Sequence, residues 1–167
     1  MITTEQAAYL AGLFDGEGSF SIQVNIRERK GRSSAHLNPR MSLQLKYGSD
    51  VLDELVDAFG GNCYAYPKTG KRMWVLSKRE QLIIAANTLR PFLRIKAKIA
   101  DRFLEALAIM PGARKAHVHG ERSWTPDMVA AVAEIAFTLN PGGKPSPKKV
   151  IADEYIAELR VKCADET

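Results

Sequence analysis

The sequence predicts an α+β domain: one four-stranded antiparallel sheet laid on a layer of helices. Three observations predict it. Apolar spacing switches from a helical period to a two-residue period twice within the first ninety residues. Glycines mark both switches, Gly16 and Gly18 at the first and Gly60-Gly61 at the second. Cations gather in blocks on the segments that read as hairpins.

The elements follow in order. Thr3-Thr4-Glu5-Gln6 fits a capping box, which opens a helix from Thr4 to about Asp15. That helix carries Ala7, Ala8, Ala11, Gly12 and Gly16, small residues whose spacing lets another backbone approach closely. Gly16 and Gly18 are expected to end it. Phe20, Ile22, Val24 and Ile26 then alternate with Ser21, Gln23, Asn25 and Arg27, the period of a half-buried strand. Lys30-Gly31-Arg32-Ser33-Ser34 reads as a turn, and Met41, Leu43 and Leu45 alternate in the return strand. Ser49 caps a second helix with Val51, Leu52, Leu55, Val56 and Phe59 on one face. A second hairpin joins Cys63–Tyr66 to Met73–Leu76 through a turn at Pro67–Lys71. Ser77-Lys78-Arg79-Glu80 has the pattern of a second capping box, before a helix with Leu82, Ile83, Ala86 and Leu89. The order is therefore α-β-β-α-β-β-α.

The remainder reads as helical: Ile95 to Ile109, then Thr125-Pro126 starting a helix through about Leu139, with Trp124 and Met128 or Val129 as a staple. Asn140 to Pro147 is a loop before a last helix. No second copy of the unit and no linker is visible. One domain over residues 1–167 is expected, with a core over about 1–109 and a C-terminal helical part over about 110–167.

Charge narrows the function. Net charge is +5, and its distribution is one-sided. Residues 1 to 26 contain Glu5, Asp15 and Glu17 and no Lys or Arg. Arg27, Arg29, Lys30, Arg32, Arg40 and Lys46 then stand against Glu28 alone. Residues 62 to 79 hold Lys68, Lys71, Arg72, Lys78 and Arg79 with no acid, and the stretch from Val150 is acidic again. Blocks of one sign suggest a polyanion-binding face with a neutral-to-acidic back. No apolar run approaches a membrane span, and no signal peptide is visible. Cys63 and Cys163 show neither zinc spacing nor a disulfide framework, so reduced thiols and an intracellular location are expected: cytoplasmic in a prokaryote, organellar in a eukaryote.

Asp15 and Glu17 stand two apart at a helix end, between glycines, just before the basic strand. Hydrolysing a phosphodiester needs charge neutralisation on the phosphoryl oxygens and an activated water, and carboxylates supply Mg²⁺ for both. One such site per chain is too few for two strands. Two chains meeting at this helix would bring two copies to a symmetry axis. The bland reading is that Asp15 and Glu17 are ordinary polar residues at a helix end.

The stretch Leu10-Ala11-Gly12-Leu13-Phe14-Asp15-Gly16-Glu17-Gly18 resembles the signature of the LAGLIDADG homing endonucleases, and it occurs once. The chain is similar to the single-motif, homodimeric branch of that family over essentially its full length. The resemblance implies an α-β-β-α-β-β-α core with additional C-terminal helices and a saddle-shaped antiparallel sheet on DNA. It implies a dimer interface at Tyr9, Gly12, Leu13 and Gly16. The family motif usually ends in Asp-Gly-Asp-Gly or Asp-Ala-Asp-Gly, so the metal-ligand role falls on Glu17, with the Gly16 carbonyl as second ligand. Glu for Asp keeps the charge and lengthens the arm by one methylene. Gln44 matches a family Gln that orders solvent, and Lys96, in Pro91-Phe92-Leu93-Arg94-Ile95-Lys96, matches a family Lys. Near the scissile phosphate such a Lys tunes the nucleophilic water or stabilises negative charge. Some relatives use an Arg where this chain has Gly48; Lys46 is a substitute. As bland readings, Gln44 is a solvent-facing strand residue and Lys96 a surface lysine at a helix start. Mg²⁺ is the implied cofactor, with Mn²⁺ substituting and Ca²⁺ binding without supporting cleavage.

A two-stranded ribbon fits the major groove, where Arg, Asn and Gln make bidentate contacts to bases. On the first hairpin the candidates are Ser21, Gln23, Asn25, Arg27, Arg29, Arg40 and Ser42. On the second they are Tyr64, Tyr66, Lys68 and Arg72, with Met73 or Val75 on thymine methyls. Tyr64 and Tyr66 also read as cross-strand packing pairs. Lys46, Lys98, Lys144, Lys148 and Lys149 suit phosphates. His117-Val118-His119 reads as a loop rather than a metal site. The expectation is a site-specific double-strand DNA endonuclease of intron homing, acting as a homodimer on a long pseudo-palindromic target. Two alternatives stay open: an intron RNA maturase, which adds intron RNA as a partner, and a regulator that binds DNA without cutting.

Overall fold

The structure of the protein, a computed structural model, describes residues 2–29, 32–46, 49–111, 125–139, 154–157 and 161. The order of the core elements is α-β-β-α-β-β-α, and the sheet is four-stranded with strand order β1-β2-β4-β3.

Helix α1 spans Thr4–Glu17. Its start is the expected capping box: the Thr3 hydroxyl accepts from the Gln6 amide at 3.2 Å, and the Thr3 amide donates back to the Gln6 side chain at 2.9 Å. The helix runs two residues past its expected end, so Gly16 lies inside it and Gly18 alone is the cap, in extended conformation. Strand β1, Gly18–Arg29, follows directly, and β2 spans Arg32–Leu45. Helix α2 (Ser49–Phe59) ends in Gly60 and Gly61, both at positive φ. Strands β3 (Asn62–Tyr66) and β4 (Lys71–Leu76) form the second hairpin. Helix α3, Arg79–Leu89, runs into a 3₁₀ turn, Arg90–Phe92, and α4 spans Ala97–Ile109. The expected capping box at Ser77–Glu80 is absent: Lys78 is the N-cap and no side chain caps it.

The chain divides into two compact units. The first comprises residues 1–21 and 39–104. Its helix α3 packs on both α1 and α2, and α2 covers β3 and β4. Leu10, Ala11, Phe14, Leu43, Leu52, Leu55, Trp74, Leu82 and Leu89 are buried there. Phe14 meets Phe20 edge-on at 4.8 Å between ring centroids, and Phe20 meets Phe103 at 5.3 Å. Such pairs add about 1 kcal/mol each to the burial itself. Pairing sets the register: Leu43 opposes Trp74 and Cys63 opposes Trp74, while Gln44 and Tyr64 both oppose Met73. Residues at odd and even positions therefore take opposite faces. Leu43, Trp74 and Leu76 turn to the helices, and Ser42, Gln44, Tyr64, Met73 and Val75 form the outer face.

The second unit comprises residues 22–38 and 105–167. Ile22, Val24 and Leu37 are buried in its strand segments, Gln23 is exposed and Asn25 half-buried, as the alternation predicts. Helix α5, Pro126–Thr138, begins where expected: the Thr125 hydroxyl accepts from the Met128 amide at 3.2 Å. Val129, Val132, Ala133 and Ile135 give α5 its buried stripe. Trp124, His117 and His119 lie outside the described residues. Among the described residues, no helix is long and apolar enough to cross a membrane.

Candidate active site and nucleic-acid interface

The site is built where α1 ends. Gly18 follows Glu17 because nothing larger fits: a Cβ there would collide with the Phe14 ring. The chain can therefore turn from helix to strand tightly, and the two acids fall at the joint.

They have opposite surroundings. The Asp15 carboxylate is bound by three main-chain amides, Arg94 at 2.7 Å, Ile95 at 3.2 Å and Lys96 at 2.8 Å. It thus ties down the turn of residues 94–96 that leads into α4. Burial pushes the Asp15 carboxyl up. The amides of Arg94, Lys96 and Ile95 and the charge of Lys96 outweigh this and hold it below the usual carboxylate range. Glu17 is exposed, and no hydrogen bond holds its carboxylate among the described residues.

Lys96 completes the joint from the other side. Its Nζ donates to the Phe14 carbonyl at 2.9 Å, which also accepts from the Gly18 amide, and to the Asp15 carbonyl at 2.6 Å, both in the last turn of α1. Burial lowers the Lys96 ammonium below the usual lysine range, opposed by the negative charges of Asp15 and Glu17. Lys96 and Glu17 therefore act on each other electrostatically.

The tie made by Asp15 was not read from the sequence, because its partners lie about eighty positions away. A signal was present. Leu93 to Lys96 contains no Ser, Thr, Asp or Asn, so the turn before α4 has no side-chain acceptor of its own for its amides.

As to a metal, no group of three or more His, Cys, Asp or Glu side chains suited to hold one exists among the described residues. What one chain offers is the exposed Glu17 carboxylate and main-chain oxygens such as that of Gly16. These hard oxygen donors fit Mg²⁺ or Ca²⁺ as part of a coordination sphere; Mg²⁺ commonly takes one or two carboxylates and keeps water.

On the outer sheet face of the first unit, Ser42, Gln44, Tyr64 and Tyr66 stand as expected, with the two tyrosines 49% and 41% exposed. Tyr64 also opposes Met73, so it is a cross-strand neighbour as well as an exposed one. Arg40 Nη2 donates to the Met73 sulfur at 3.5 Å, while its Nε is buried without a partner among the described residues. Lys68 is exposed in the hairpin turn, and Lys46 and Lys98 are exposed. Ser21 is half-buried at the boundary of the two units.

Arg72 is a correction. It opposes Leu45 and shares the parity of Trp74 and Leu76, which places it on the helix side of β4. There its guanidinium forms a two-pronged ion pair with Asp53 of α2, at 2.8 and 3.3 Å. The backbone of Arg27 and Arg29 lies in β1, but their side chains, like Lys144, Lys148 and Lys149, lie outside the described residues.

The dimer candidates share an open face of α1. Tyr9 is 54% exposed, Gly12 and Gly16 are exposed, and a Cβ at either glycine meets nothing within 4 Å. Ala7 and Ala11 are instead buried in the chain's own core.

The sequence profile of the LAGLIDADG endonuclease family matches residues 10–105, from the start of the signature into α4. DNA endonuclease I-CreI from Chlamydomonas reinhardtii is 30% identical over 112 residues, 64% of this chain and 65% of that protein. The chain therefore spans just under two thirds of that relative. Among solved structures, the homing endonuclease I-CvuI in complex with the I-CreI target, in the presence of Mg, superposes with a TM-score of 0.73 at 18% identity, over 93% of this chain and 94% of that one. The archaeal intron-encoded homing endonuclease I-Vdi141I, complexed with DNA, gives 0.68 at 18% identity, over 94% and 98%. The fold, the single signature at the α1–β1 joint and the profile over the core agree: the chain belongs to the LAGLIDADG endonuclease family.

Proposed function

We propose that this protein is a site-specific double-strand DNA endonuclease of intron homing, working as a homodimer with a divalent metal ion. The observation that carries the reading is the division of labour at the end of α1. Asp15 is consumed by the fold, and Glu17 is left exposed beside a buried-edge lysine.

Glu17, with the Gly16 carbonyl, is the group that would hold the metal in each protomer. When bound, Mg²⁺ neutralises charge on the phosphoryl oxygens and makes a water nucleophilic at neutral pH. The chain's own residues do the rest. Lys96 has a third N–H beyond the two given to main-chain carbonyls, and it is the donor available to a phosphate oxygen. Gln44, exposed on β2, orders solvent or contacts a base edge. Ser42, Tyr64, Tyr66 and Arg40 face outward from the sheet, with Gln23 and Asn25 on the first hairpin, and supply polar groups for the major groove. Lys68, Lys46 and Lys98 suit phosphate contacts, which position without reading sequence. The open α1 face is the surface for a second copy, and two copies give two half-sites.

The relatives support this reading in their own right: I-CvuI has been solved with its target in the presence of Ca, and I-Vdi141I with DNA. The test is selection of cleaved sites from a randomised plasmid library in Mg²⁺, repeated in Ca²⁺ and with Glu17→Gln. Double-strand cuts at one long site in Mg²⁺ are expected, with binding alone in Ca²⁺. Glu17→Gln is expected to lose at least about a hundredfold in rate while still binding. Tight binding with no cutting in Mg²⁺ or Mn²⁺ would sink the reading in favour of a non-cleaving regulator, and preferential binding of structured intron RNA in favour of a maturase.

A further inference from the structure

We infer that Asp15 is a positioning residue, one half of a reciprocal latch that fixes Lys96 beside Glu17. The inference rests on the proposed endonuclease function and deepens it. Each end of the latch holds the main chain at the other end. The Asp15 carboxylate takes the amides of residues 94–96, the turn that leads into α4, and the Lys96 ammonium takes the Phe14 and Asp15 carbonyls in the last turn of α1. Five hydrogen bonds of 2.6 to 3.2 Å thus join residues 14–15 to residues 94–96. A lysine side chain has four rotatable carbons of slack, and this latch removes it. With two of its three N–H donors fixed to main-chain oxygens, the ammonium has one direction left in which to donate. The Glu17 backbone lies between Asp15 and Gly18, whose amide donates to the same Phe14 carbonyl that Lys96 binds.

A carboxylate whose only service is holding a turn would affect stability and binding alike. A positioning residue affects the reacting geometry: displacement by about 1 Å at a reacting centre costs about a hundredfold in rate. Asp15→Asn is the informative substitution. It keeps the shape, but it gives up the charge and turns an amide NH₂ toward donors.

The full-length chain is compared as wild type, Asp15→Asn, Lys96→Met and the double variant, on the site recovered from the randomised library. DNA binding is measured in Ca²⁺ and single-turnover cutting in Mg²⁺. Hydrogen exchange at the amides of Arg94, Ile95 and Lys96 is followed without DNA. Asp15→Asn is expected to bind within about threefold of wild type, to cut about 10- to 100-fold more slowly, and to lose protection at those amides. The double variant is expected to cut no more slowly than Lys96→Met, because residues acting as a unit are not additive. Losses that multiply, or a fall in binding equal to the fall in rate, would overturn the positioning role. Unchanged exchange in Asp15→Asn would overturn the latch whatever the chain cuts. A wild-type chain that cuts no library member would sink the endonuclease reading and the catalytic part of this inference, while the exchange arm still decides whether the latch exists.

Discussion

The two helix-to-strand joints, α1 into β1 and α2 into β3, occupy the same place in the two halves of the core and are both marked by glycine, yet different forces shape them. At the second joint Gly60 and Gly61 have φ of 78° and 94°, a region that side chains rarely adopt. The Gly60 carbonyl also accepts from the buried Trp74 indole at 2.8 Å, so this turn is stitched into the core. At the first joint Gly18 has an ordinary extended backbone, with φ of −78°, and is required only because Phe14 fills the space a side chain would need. The first joint leaves its backbone geometry unstrained and carries two acids, Asp15 and Glu17; the second carries one, Asp57, with the buried Phe59 at the place of Glu17. What separates the joints is the residue next to the glycine: Phe59 is buried in the core at the second, whereas Glu17 stays at the surface of the first.

Substitutions can break or sharpen this contrast. Gly61→Ala is expected to cost most, about 2–4 kcal/mol in a denaturant melt. A Cβ there meets the Val75 carbonyl oxygen at 2.5 Å, and no side-chain change can relieve a backbone clash. Gly18→Ala should cost less, about 1–3 kcal/mol. Phe14→Leu in the same chain should recover part of the loss, since the obstacle is a ring. Failure of that rescue would mean that the two joints obey the same constraint after all. Gly12→Ala, on the open face, should raise the stability of the single chain by about 0.5–1 kcal/mol, because the helix gains and nothing collides. The same change should weaken self-association in sedimentation, opposite in sign to its effect on the fold. Equal dimerisation of both proteins would remove α1 as the interface.

The smallest effect expected is on acid stability. Main-chain amides hold Asp15 below the carboxylate range against the opposing effect of burial, and Arg72 holds Asp53 below it. A depressed folded pKa means that the stabilisation is present above the unfolded value and is lost as pH falls through the folded one. Below about pH 4 the joint at α1 should therefore loosen. Both groups are largely solvated, so the slope should be shallow. Asp15→Asn should flatten its share of it, and an unchanged acid limb would show that the tie contributes little.

Local chemistry was legible in the sequence wherever it acts over a few residues. The capping box at Thr3, the alternation through Phe20, Ile22 and Val24, and the glycine stop at Gly60 all follow from neighbours in the chain. The apparent capping box at Ser77 shows the limit of such reading: the pattern is there, but Lys78 takes the cap position and the side chain of Ser77 is not used. Arg72 was misplaced for a reason the sequence contained, since counting by twos from Trp74 puts it on the inner face. Asp15 is the opposite case. No local pattern distinguishes an acid that holds a distant turn from one that stays exposed, and only the pairing of residues 15 and 96 in space separates it from Glu17.

The parity of the sheet has a consequence for how such a protein can change. Ser42, Gln44, Tyr64, Met73 and Val75 project from one face while Leu43, Trp74 and Leu76 carry the packing on the other. Every second position can then mutate without disturbing its neighbours in the core. Met73 is the exception in part, because it also holds Arg40. A lineage built on this strand pattern can change its outer surface one side chain at a time, keeping its folded state and the joint between α1 and β1 throughout.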